Sequence, residues 1–174
     1  MSVNKNLYII GFSGTGKTSV IELLESAGYS AFDSDSIIEQ QTGLSIREIF
    51  EMKGEAEFRK LESKVINALA LEKGKIVAFG GGAVLNEENL RTIKGSGKVL
   101  WLDASSNVIF ERLKDDFTRP LLSGLSVSEI ESIKVKREPL YRRLCDDVIN
   151  TNELTIEDVF KKVKEYYESS NWTR

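Results

Sequence analysis

The chain has 174 residues, 41% hydrophobic and 29% charged, with 24 Lys and Arg against 27 Asp and Glu for a formal net charge of −3. That balance describes one globular domain spanning 1–174, excludes a disordered chain and offers no general attraction to nucleic acid or an anionic membrane. No histidine is present and Cys145 is the only cysteine, which removes Ser-His-Asp and Cys-His catalysis, His-ligated metals, zinc ribbons and intrachain disulfides.

Leu7 to Ile10 is a short apolar run ending at Gly11, the pattern of a buried parallel strand. A glycine-rich loop follows, then a helix from Thr18 to Ser26 that Gly28 stops. Ala31 and Phe32 make a second strand that opens into the turn Asp33-Ser34-Asp35-Ser36. Ser45-Ile46-Arg47-Glu48 is a capping box opening a helix that Gly54 interrupts, and a helical apolar period resumes from Glu55 to Leu71. Ile76 to Phe79 is a third strand, ending in Gly80-Gly81-Gly82. Helix 86–94, strand Val99 to Leu102 and helix 106–114 come next. The polar, aperiodic stretch Asp115 to Ser126 is expected to be a lid loop. Ser126-Val127-Ser128-Glu129 is a second capping box, for a helix to about Leu144; Asp147 to Ile149 is a fifth strand, and Thr155 starts a final helix. Strands alternating with helices throughout predict an α/β fold with a parallel sheet, whose ligands bind beyond the carboxyl ends of the strands. No apolar run approaches the ~20 residues of a membrane span, and the stretch after Asn6 is too short for a signal-peptide core, so a cytoplasmic location is expected.

Gly11-Phe12-Ser13-Gly14-Thr15-Gly16-Lys17-Thr18 fits G-x-x-x-x-G-K-[ST] at every fixed position. The glycines let successive N–H groups converge on a phosphate at a helix N-terminus, Lys17 reaches the outer phosphates, and the Thr18 hydroxyl can ligate Mg²⁺. Asp33 and Asp35, two carboxylates at i and i+2, can divide labour between a metal and a substrate hydroxyl; the plainer reading is a helix N-cap. Gly80–Gly82 permits close backbone approach to a ligand, or is simply a loose loop. Arg119, beside Pro120 at the centre of the lid, can swing over a triphosphate. Taken singly, Arg59, Arg112 and Arg137 carry no more information than surface arginines.

The ordered set is more specific. The P-loop, Asp33-Ser34-Asp35, Phe58-Arg59-Lys60-Leu61-Glu62, Gly80-Gly81-Gly82, Arg119-Pro120-Leu121-Leu122 and Arg137-Glu138-Pro139-Leu140-Tyr141 together resemble the shikimate kinase family, nucleoside-monophosphate-kinase-like P-loop proteins, from Leu7 to the final helix. The resemblance implies a five-stranded parallel sheet of order 2-3-1-4-5 flanked by helices, with a shikimate-binding region at about 33–62 and a lid at about 115–126. It implies transfer of phosphate from ATP to the 3-hydroxyl of shikimate, with Mg²⁺, in a monomer that binds neither nucleic acid nor membrane. Carried over residue by residue, Asp35, Lys17 and Arg119 are catalytic, and Gly14, Thr15, Gly16, Lys17, Thr18, Ser19, Arg112, Arg119 and Asn152 hold ATP. Asp35, Phe58, Arg59, Gly80, Gly81, Gly82 and Arg137 hold shikimate, the two arginines on its carboxylate; Glu62 orients Arg59, and Thr18 and Asp33 serve the metal. Ser13 stands where many members have Met, and Phe79 where a small hydroxyl residue is frequent. Two alternatives remain open at this point, a kinase for another polyol acid such as gluconate and a catalytically dead P-loop binding module.

Overall fold

The computed structural model describes residues 5–114 and 124–169. Arg119 and most of the expected lid therefore lie outside the described residues. Five strands, β1 (Asn6–Ile10), β2 (Ala31–Asp33), β3 (Ile76–Ala78), β4 (Gly97–Asp103) and β5 (Asp147–Asn150), pair in parallel in the order β2-β3-β1-β4-β5. Side chains alternate across a strand, so β1 sends Tyr8 and Ile10 to one face and Leu7 and Ile9 to the other. On the first face Tyr8, Val77, Phe79, Val99 and Trp101 pack against α2 (Ser34–Thr42), α3 (Ile46–Leu71), α4 (Glu87–Ser96) and α6 (Val127–Leu144). On the second, Leu7, Ile9, Ile76, Leu100 and Leu102 pack against α1 (Lys17–Ser26) and α7 (Ile156–Glu168). A small cluster of Phe12, Ala104, Ile109 and Ile130 seats α5 (Ser106–Leu113) beside α6.

The capping boxes expected at Ser45 and Ser126 are both present. Gly54 (φ 79°, ψ 167°) breaks the helical path inside α3, as its position in the apolar pattern predicts. Two elements differ from expectation. The residues after Asp33, read as a turn, form α2, which ends at Gly43 in the left-handed region (φ 68°). Only Ile37 and Ile38 are apolar in those nine residues, too few to declare a period. A single 3-10 turn, Ala83–Leu85, also follows the triple glycine unannounced.

Candidate active site

Because every strand runs the same way, all five carboxyl ends open on one rim, and each delivers a site segment there. Behind β1 the chain turns through Gly11 (φ 147°), where a Cβ would meet the Leu102 carbonyl oxygen at 2.2 Å, so no other residue fits. Gly16 (φ 96°) is the N-cap of α1 and supplies no side-chain cap, which leaves the first N–H groups of that helix directed at an incoming anion. Thr15 Oγ1 donates to the Phe12 carbonyl (2.8 Å), bracing the loop from inside. Lys17 is buried and folds back on the loop, donating to the carbonyls of Gly11 and Phe12 (both 2.8 Å).

Thr18 Oγ1 donates to Asp33 Oδ2 (2.8 Å), while Asp33 Oδ1 accepts from the Asp35 N–H (2.9 Å). Asp33 is therefore both the N-cap of α2 and the hydrogen-bond partner of the P-loop hydroxyl. Asp35 is not a cap: it lies in the first turn of α2. From there its carboxylate reaches Gly80, where an added Cβ would lie 2.9 Å from Asp35 Oδ1 and 3.2 Å from Glu62 Oε1.

Gly80–Gly82 is the seam on which the remaining side chains converge. None of the three has φ in the left-handed region, so what they supply is space. A Cβ added at Gly81 would lie 3.4 Å from Arg137 Nη1, and the Gly81 carbonyl accepts from Arg137 Nη1 (3.3 Å) and the Tyr141 hydroxyl (2.8 Å). Gly82 lies under Arg59, whose guanidinium atoms would stand 2.4–2.6 Å from a Cβ. Arg59 is held by two carboxylates of its own helix: Glu62 Oε2 takes Nη1 (2.9 Å), and Glu55 Oε1 takes Nη2 (3.0 Å) and Nε (3.3 Å). The guanidiniums of Arg59 and Arg137 also cover the rings of Phe58 (5.2 Å) and Phe12 (5.4 Å). Glu62 is 1% exposed, and its Oε1 accepts no hydrogen bond among the described residues. Burial lifts its carboxyl pKa to about 7, with Arg59 and Arg137 opposing the rise and Asp35 adding to it.

The other side of the P-loop carries a cavity of about 410 Å³ lined by Gly14 to Ser19, Arg112, Leu113, Thr151, Leu154, Ile156 and Val159. Arg112 ties its two walls together, donating to the Gly14 carbonyl (3.1 Å), Thr151 Oγ1 (3.1 Å) and the Thr151 carbonyl (2.7 Å). Burial lowers the pKa of Arg112. Asn152 takes the Ser105 N–H (2.7 Å) and so fixes the turn after β5. Tyr141, Glu55 and Lys134 belong to this rim, and the sequence reading did not assign them roles. Tyr141 stood inside the Arg137 motif, Glu55 was legible only as a helix partner four residues before Arg59, and nothing local marked Lys134.

A phosphate-binding loop on a sheet of this order, facing an acid-and-arginine pocket across the same rim, defines a small-molecule phosphotransferase of the P-loop class. The family model described as shikimate kinase matches residues 13–168. A shikimate kinase from Thermodesulfovibrio yellowstonii is 45% identical over 170 residues, covering 96% of this chain and 98% of that protein. One from Sulfurihydrogenibium is 39% identical over 165 residues, covering 92% of this chain and 98% of the other. Among solved structures, shikimate kinase from Acinetobacter baumannii in complex with shikimate superposes with a TM-score of 0.88 at 34% identity, covering 99% of this chain and 97% of that one. The chain belongs to the shikimate kinase family. Its activity is the phosphorylation of shikimate in aromatic amino-acid biosynthesis, which sets aside both the gluconate-type kinase and the dead binding module. No helix among the described residues is long and apolar enough to cross a membrane.

Proposed function

We propose that this single-domain chain transfers the γ-phosphoryl group of ATP to the 3-hydroxyl of shikimate, with Asp35 facing that hydroxyl and Arg59 and Arg137 gripping the carboxylate. The observation that carries the reading is the convergence of one carboxylate and two guanidiniums on Gly80–Gly82, beside the P-loop. A guanidinium presents a planar fork that matches a carboxylate in bidentate geometry. Two such forks on one rim suit an anionic sugar-like acid, and the Acinetobacter relative is in complex with one, shikimate. Phe58 walls the pocket beneath Arg59, and Glu62 orients that arginine from behind.

Phosphoryl transfer needs little covalent help, so the protein acts by positioning and by neutralising charge. The N–H groups of Gly14 to Ser19 and the start of α1 receive the phosphates, and Lys17 exchanges its loop carbonyls for phosphate oxygens. Arg112, Thr151 and Asn152 form the wall for the nucleotide's base. Arg119, outside the described residues, is assigned to the phosphates from the lid. Thr18 Oγ1 and Asp33 Oδ2 stand 2.8 Å apart, one neutral and one charged oxygen donor. That pair suits Mg²⁺, which takes one or two protein oxygens and completes its shell with water and phosphate. Held there, Mg²⁺ would offset charge on the phosphates; Asp35 holds and accepts the proton of the attacking hydroxyl.

Steady-state kinetics on Asp35→Asn and Arg137→Lys test the assignment together. Asp35→Asn should cut kcat by about 10²-fold or more, the scale of general-base loss, with the KM for ATP little changed. Arg137→Lys should raise the KM for shikimate although the charge is kept, and shikimate methyl ester should be a poor substrate for the unmodified enzyme. Ester and acid turned over equally well would overturn the carboxylate grip, and full activity in excess chelator would overturn the metal assignment.

A further inference from the structure

The buried stripe of α6 runs through Ile130, Tyr141 and Leu144, and helical spacing places positions 134 and 137 in the same stripe. Both of those positions are cationic. Arg137 is accounted for by the pocket at Gly81. Lys134 has no role there, yet its side chain is only 12% exposed, which a lysine tolerates only when paired.

Its partner is Asp103, the last residue of β4, with Lys134 Nζ 3.1 Å from Oδ1. That oxygen is buried and accepts no hydrogen bond among the described residues, so the ion pair is what answers its charge. The backbone of Asp103 is equally committed, since its carbonyl accepts from Thr151 N–H (2.8 Å) and Thr151 Oγ1 (3.1 Å). Thr151 in turn holds Arg112 against the P-loop. Asp103 is thus fixed at its carbonyl to the residue that follows β5, and Lys134 is the means by which α6 reaches its side chain. One turn further along α6, Arg137 meets Gly81, and the Tyr141 hydroxyl below it feels both Arg137 and Asp103.

We propose that the Asp103–Lys134 ion pair is a positioning device for the reaction: it docks α6 on the end of β4 at the height that brings Arg137 onto Gly81. The proposal rests on the reading of Arg137 as a carboxylate grip. Without the pair, α6 keeps its apolar contacts and the Tyr141–Gly81 and Ser106–Glu131 hydrogen bonds, but loses its tie to the end of β4 one turn before Arg137.

The test is a kinetic cycle on the full chain, with Lys134→Gln, Asp103→Asn and their double variant, each made alone and with Arg137→Ala. Lys134→Gln should raise the KM for shikimate roughly fivefold or more, the scale of coupling within one ion-pair network, with kcat changed less. In the Arg137→Ala background that further loss should vanish, because the residue being positioned is gone. A Tm decrease without a change in KM would overturn the proposal, as would a loss undiminished in the Arg137→Ala background, since both are what mere stabilisation gives. Should Lys134→Gln fail to fold, the double variant buries no unpaired charge and takes the same measurement. Arg137→Ala by itself separates the two readings. If it leaves the KM unmoved, the carboxylate grip and the positioning role fall together; if it raises the KM while Lys134→Gln does not, only the positioning role falls.

Discussion

Gly82 and Glu62 show how little room the pocket leaves for a change of one atom. At Gly82 an added methyl would stand 2.4–2.6 Å from three atoms of the Arg59 guanidinium, and backbone dihedrals do not object to it. Gly82→Ala is therefore expected to fold with a near-normal Tm while displacing Arg59. The KM for shikimate should rise about tenfold or more, on the scale of losing a charged hydrogen bond; an unchanged KM would show that Arg59 can serve from elsewhere. At Glu62 the issue is a proton. Its carboxyl titrates near 7 in the folded chain against 4.5 for the ordinary group. A raised carboxyl pKa means the folded state binds the proton more tightly, so the contribution of this residue is fully present below about 4.5 and is lost as pH rises through about 7. Glu62→Gln removes that dependence. The Tm of the variant minus that of the wild type should climb between these two values and level off above, and a flat difference would contradict the shift.

Two glycines in helices make opposite demands on their elements. Gly54 sits at φ 79° and ψ 167° with nothing near its missing Cβ, so space is free and the backbone is the obstacle. Replacing it with Ala forces a conformation close to glycine-only and should cost about 1–3 kcal/mol. Gly95, near the end of α4, has the same open space without the positive φ, and Gly95→Ala should stabilise by about 0.4–1 kcal/mol through the unfolded chain. Urea midpoints of the two variants, moving in opposite directions, check the pair. Gly54 was legible in the sequence because it breaks a strong apolar period that resumes at Phe58. The P-loop, the capping boxes and the five strands were legible for the same reason: each is a local pattern with a local cause. Helix α2 was not, since its nine residues carry two adjacent isoleucines and are held by α3 and the end of β2. The placement of Arg59 and Arg137 lies between these cases. Each looks like a surface arginine until the ordered motif set, and then the rim, brings them to adjacent glycines. Lys134 opposite Asp103 is purely tertiary, 31 residues away in a chain whose local pattern at that point shows only a helix.

Across the molecule, parallel pairing separates the two ends of the sheet in kind. The carboxyl ends carry the P-loop, Asp33, the triple glycine, Asp103 and Thr151. Among the described residues, the amino ends carry fastenings. Asn6, buried at the start of β1, donates to the Tyr8 hydroxyl (2.9 Å) and the Glu72 carbonyl (2.8 Å), and accepts from the Lys75 N–H (3.0 Å). Asp146 holds the Val99 N–H (2.9 Å) between Lys94 and Lys98, and the Tyr167 hydroxyl donates to the Gly74 carbonyl (3.0 Å). Removing Asn6 takes a partner from the buried Tyr8 hydroxyl and from part-buried backbone groups of Glu72 and Lys75, at about 1–3 kcal/mol, or several degrees of Tm for a domain of this size. Asn6→Ala should show that loss with kcat and both KM values retained at a temperature where the variant is folded. Turnover is thus set at one pole of the sheet, and a separable share of the robustness at the other. Heat tolerance can be raised or lowered at the Asn6 pole without retuning the catalyst, and selection on one property leaves the other free to drift.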